Sequence, residues 1–90
     1  MKSFLLPAAP SDRARTFYGK AVVEEEENGG HLLLSYGMPV CRITSGGEFI
    51  RIWPGYSATT MRHVNSFIYF YGVPGGGKKW WDALEVREVL

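Results

Sequence analysis

The residues with chemistry in them gather in one stretch, GYSATTMRHVNSF at 55–67. Ser57, Thr59 and Thr60 fall within four positions there, and Arg62 and His63 follow closely. Hydroxyls, a guanidinium and an imidazole at this spacing admit two readings. One is an anion site, because a helix start offers free amide hydrogens and partial positive charge. The other is a helix cap. Ser57 as N-cap would accept the amide hydrogen of Thr59 or Thr60, satisfying one of the four donors a helix start leaves unpaired. Tyr56 then precedes the cap and Met61 falls at the fourth helical position, the two places that form a hydrophobic staple. The cap accounts for everything up to Met61 and leaves Arg62 and His63 over. These two become candidate contacts for a partner; the alternative is a solvated face, or His63 tucked against the sheet with one nitrogen bonded.

Other groups offer less. Cys41 is the single cysteine, set between Val40 and Arg42 in a strand-like run, where a small buried hydrophobe is expected. Paired with His31 or His63 it is formally a nucleophile, but no spacing supports that. Cys41, His31, His63 and Asp12 are scattered without C-x-x-C or H-x-x-x-H spacing, so no metal or cofactor is expected. VPGGGKKW lacks the spacing of a phosphate loop and a strand before it. With no catalytic constellation, the sequence predicts no enzyme.

The elements that position these residues follow from periodicity. Residues 1–13 read as a flexible arm, punctuated by Pro7 and Pro10, and 14–90 as one α+β domain. RTFYGKAVVEEEE reads as a strand interrupted at Gly19, Asn28-Gly29 as a hairpin turn, and HLLLSY as the return strand, interrupted by Gly37 and Pro39. PVCRIT and EFIRIW supply two more, the last with Phe49, Arg51 and Trp53 on one face and Ile50 and Ile52 on the other. Past Pro54-Gly55 the period changes to 3.6. Met61, Val64, Phe67, Ile68 and Tyr71 form one helical stripe that Gly72 and Pro74 close. KKWWDALEVREVL gives a second short helix with Trp81 and Leu84 inward. The predicted fold is a four-stranded antiparallel β-meander followed by two short helices packed on one face, with a half-open barrel as the alternative.

Charge is close to balanced, at +1, yet unevenly spread. From His31 to Trp81 there are five cations against one acid: Arg42, Arg51, Arg62, Lys78 and Lys79 against Glu48. Arg42, Arg51 and Arg62 are therefore candidate nucleic-acid contacts on a basic face. Aromatics in excess of the core stripe point toward a protein surface. Tyr69, Phe70 and Trp80, with Lys78, Lys79, Arg62 and His63, are the candidate partner-binding residues. A lone cysteine and a longest apolar run of FIYFYGV, far short of the roughly 20 residues of a membrane span, suggest a cytoplasmic protein with no membrane contact. MKSFLLPAAP is too short an apolar run for a signal segment.

TFYGKA (16–21), LLSYGMPVCRI (33–43), WPGYSATTMRHVNSF (53–67) and KKWWDAL together resemble a family of short proteins from Gram-positive bacteria, phages and mobile elements. Its members carry a W-x-G-[YW]-S-x-T-T-x-R-H-[IV] helix start. The likeness covers most of residues 16–84 and leaves out the arm at 1–12 and the triple glycine. It implies a shared fold and no particular activity. The mobile-element association implies a small non-enzymatic binding protein acting through protein–protein contacts, for instance by inhibiting a host defence nucleoprotein complex such as a CRISPR effector. The alternative is a nucleic-acid-binding accessory module using a basic face with exposed aromatics. A homodimer through an open sheet edge is compatible with both.

Overall fold

The computed structural model describes residues 2–88. Five strands follow one another in chain order as an antiparallel sheet: β1 (Lys2–Leu5), β2 (Ala21–Glu25), β3 (His31–Ser35), β4 (Met38–Ile43) and β5 (Phe49–Arg51). Helices α1 (Ala58–Tyr71) and α2 (Lys78–Ala83) come after them. The expected meander and helix pair are present, with one strand more. That strand comes from the segment predicted to be a flexible arm. Lys2–Leu5 pairs with β2, Phe4 opposite Val23, and Leu6 and Ala9 beyond it are buried. Ala9 N–H donates to Ser66 Oγ on α1 at 3.0 Å, which ties the segment to the helix.

Register explains the two faces of the sheet. Val23, Leu33, Cys41 and Arg51 stand opposite one another across β2 to β5 and point the same way. Most of this row joins Met61, Val64, Phe67 and Ile68 from α1 and Trp81 from α2 in the main core. A bulge between Leu33 and Leu34 turns both Val40 and Cys41 into that core. Burying a side chain such as Leu33 or Phe67 contributes roughly 1.5–3 kcal/mol. The stripe predicted for α1 is the one turned into the core, with Tyr71 at its end partly buried.

The opposite face holds a smaller cluster of Leu32, Ile50 and Ile52, with Leu34 against it. Arg42 stands in the same cross-strand row as Leu32 and Ile50. Its guanidinium pairs with Glu26 at 2.8 Å and with Glu88, laying an ionic lid over that row. The outer edge of β5 is occupied as well. Val86 bridges Arg51 in parallel, and Arg87 N–H donates to the Arg51 carbonyl at 2.9 Å. Among the described residues no helix is long and apolar enough to cross a membrane.

Candidate functional site

The start of α1 is built as a cap. Ser57 is extended, at φ −147°, and its Oγ accepts the Thr60 amide hydrogen at 3.0 Å. Thr60 is itself buried, its Oγ1 3.4 Å from Ser35 Oγ on β3. Of the three hydroxyls only Thr59 faces solvent. Gly72 ends the helix in the left-handed conformation, at φ +70°.

His63, a candidate partner contact, is buried at 2% exposure, which corresponds to the alternative of a ring tucked against the sheet. Helical periodicity places it beside the apolar stripe, so it turns into the sheet. Ser35 Oγ lies 2.7 Å from its Nδ1, and the ring sits between Phe17 at 4.5 Å and Tyr36 at 5.8 Å. Burial, with the neighbouring Arg62 cation, holds its pKa below the usual imidazole value. At neutral pH it is an uncharged ring. One side of it lines a hollow of about 210 Å³ whose wall includes Tyr18, Lys20, Tyr36, Thr59 and Arg62.

Two of the three arginines proposed for nucleic acid are committed to the fold. Arg51 is buried beneath Trp81, with its guanidinium carbon 4.5 Å from the ring. Its nitrogens donate only to backbone carbonyls: Nε to Trp53, Nη1 to Trp81 and Leu84, Nη2 to Pro54 and Gly55, at 2.8–3.3 Å. Arg42 is neutralised by Glu26 and Glu88. The basic face read from the sequence is therefore not assembled. Those cations serve carbonyls and carboxylates that arrive from elsewhere in the chain.

Arg62 remains half exposed. Asp12 grips it with both oxygens, Oδ1 to Nη2 at 2.5 Å and Oδ2 to Nε at 3.2 Å. The guanidinium bonds hold the Asp12 carboxyl below its ordinary value, and the Ala14 amide adds to this. Lys78 pairs with Asp82 one turn on and lies 5.1 Å over the Tyr56 ring. Lys79 is exposed. Trp80 is half-buried, 5.1 Å from Phe49, and packs so closely on Gly75 that a Cβ there would meet the indole at 2.4 Å.

What the structure does bring together lies along the outer side of α1. Arg62, Asn65 and Tyr69 follow one another at helical spacing, and Tyr69 and Phe70 are 63% and 48% exposed. Two hollows adjoin here. One, of about 240 Å³, is lined by Asp12, Arg62 and Asn65; the other, of about 400 Å³, by Asn65, Tyr69 and Gly75–Gly77. Ser11 and Asn65 line both. Asn65 Oδ1 accepts the Gly77 amide hydrogen at 3.1 Å, so the glycine segment is held as the groove's far wall. Sequence reasoning missed Asp12, Ser11 and Asn65. The one available signal was an acid in a nominal arm, whose carboxylate bonds the Ala14 amide and a cation fifty residues away.

With that geometry in view, the profile of a family of unknown function (DUF8033) matches residues 7–83. The chain belongs to this family. The DUF8033 match takes in both walls of the groove, including the 7–12 segment and Gly75–Gly77 that the resemblance left outside its pattern. No curated protein and no solved structure matches the chain. Among the described residues no group of three or more His, Cys, Asp or Glu could hold a metal ion.

Proposed function

We propose that this family member is a small non-enzymatic protein that acts by docking a partner protein along the outer side of α1. The observation that carries this reading is the run of two adjoining hollows along Arg62, Asn65 and Tyr69, with Ser11 and Asn65 common to both. Exposed aromatics beside a guanidinium are the residue types that dominate protein interfaces. Phe70 extends the surface toward β1, where its ring lies 5.6 Å from Phe4. Trp80 stands behind the glycine wall and supports it. The setting that fits is the cytoplasm of a bacterium carrying mobile elements, with a defence complex such as a CRISPR effector as the partner to try first.

Affinity capture from such a host, with mass spectrometry, is the test, run on the wild type and on Tyr69→Ala and Phe70→Ala. Removing one hot-spot aromatic costs roughly 2 kcal/mol, about 30-fold in affinity. Both variants are expected to lose the captured partner, Tyr69→Ala at the wild-type melting temperature and Phe70→Ala at one lowered by the loss of its ring contacts with Phe4 and Tyr71. A partner retained equally by both would refute this surface.

A further inference from the structure

We propose that the hollow between the Tyr18 and Tyr36 turns and the start of α1 binds a nucleotide, its base on the tyrosine rings and its phosphate on Lys20. The first observation is conformational. Tyr18 and Tyr36 both have φ +52°, each followed by a glycine at φ +77°, the pattern of a tight two-residue turn. Such turns ordinarily place asparagine, aspartate or glycine at that first position, because a bulky side chain is strained there. Two tyrosines bearing this strain at one end of a small sheet indicate a use for their rings. The turns are also side by side, since the Tyr36 N–H donates to the Lys20 carbonyl at 2.8 Å.

The second observation is what surrounds the rings. Tyr18 and Tyr36 are 82% and 60% exposed, so neither is there to fill the core. Lys20 Nζ lies 5.8 Å over the Tyr36 ring and has no carboxylate partner among the described residues. His63, anchored through Nδ1 by Ser35, contributes to the lining of the hollow, and Thr59 adds a hydroxyl. Flat aromatic surface, one uncommitted cation and hydrogen-bonding groups of both kinds suit a base with a phosphate. A bare anion would not need the rings, and an apolar ligand would not need the lysine. At about 210 Å³ the space takes one ring system, below the ~300 Å³ where pockets for drug-sized ligands begin. Only Arg62 is shared with the groove proposed for the protein partner, and that proposal is not required here.

The source of the nucleotide is either a free monophosphate or a single strand, and titration separates them. AMP, UMP, a short oligothymidylate, adenosine and inorganic phosphate are added to the full chain while the His63 imidazole and Lys20 amide NMR signals are followed. The expected result is saturable shifts with a monophosphate or the oligonucleotide, at least about tenfold tighter than adenosine or phosphate. Tyr18→Gly and Tyr36→Gly suit the positive φ, so the fold is retained while the ring is lost. Each is expected to weaken binding roughly 5- to 150-fold, the range of one base–aromatic stack. Lys20→Gln is expected to flatten the salt dependence, and Tyr69→Ala, outside this hollow, to leave the nucleotide affinity at its wild-type value. The proposal is overturned by absence of saturable shifts up to about 10 mM, by phosphate or adenosine binding as well as AMP, or by wild-type affinity in both glycine variants.

Discussion

Arg51→Met is the most searching perturbation the structure suggests. Methionine keeps length and apolar stem but removes every donor. Five carbonyls lose a hydrogen bond, and two of them keep another. Trp81 O still accepts from Leu84 N–H, and Gly55 O from Trp81 Nε1. The carbonyls of Trp53, Pro54 and Leu84 are left with no other hydrogen bond among the described residues. At about 1 kcal/mol for each unmet acceptor, the low end for sites water can partly reach, the loss is about 3 kcal/mol. The lost contact between guanidinium and Trp81 face adds about 1 kcal/mol, which relief of a buried charge offsets. For a domain of this size about 3 kcal/mol lowers Tm by roughly 12–24 °C. Circular dichroism melts and urea titrations with matched m-values measure it. Arg51→Lys, with three hydrogens for five carbonyls, is expected to fall between. A Tm within about 5 °C of wild type for Arg51→Met would refute the idea that this side chain joins β5, the 53–55 segment and α2.

Three further outcomes are expected. His63 has a depressed folded-state pKa, so between that value and its ordinary value of 6.5 the unfolded chain binds more protons. Stability should rise with pH across that window and level off above it; an NMR titration placing the His63 pKa above 6.5 would contradict the burial argument. Asp12, depressed by Arg62, adds a second loss as pH falls below 3.8. Cys41 is fully buried and burial pushes its thiol well above the ordinary value. It should resist a thiol reagent in the native state and react at once in concentrated denaturant, so fast native labelling at neutral pH would show the core opening near Val40.

The parts legible in the sequence were those written locally. Ser57, the Met61–Tyr71 stripe and Gly72 specify α1 within sixteen residues, and each does its predicted task. β1 was not legible, because four residues show too little alternation and the strand exists only through its ladder with β2. Arg51 reads as a surface cation in any composition count. Its acceptors at Trp81 and Leu84 are 30 and 33 residues away, and carbonyls have no sequence signature. The Tyr-Gly pairs were visible only as interruptions, since a tyrosine in the left-handed region is a choice of the folded backbone against local preference. The candidate site fared as Arg51 did. Tyr69 and Phe70 could be found by subtraction from the core stripe, whereas Asp12 and Asn65 acquire their roles from segments distant in sequence.

The strictly sequential strand order has a kinetic consequence. Every ladder from β1 to β5 joins neighbours along the chain, so each hairpin closes only a modest loop and the sheet is favoured to form early. The parallel bridge at Val86 and the bonds from Arg51 to Trp81 and Leu84 span 30 residues or more, and their loop-closure cost falls due last. A chain released before that step would hold a formed meander with the β5 edge uncovered. That edge, not the helix face, is where a second molecule would pair during slow or crowded refolding.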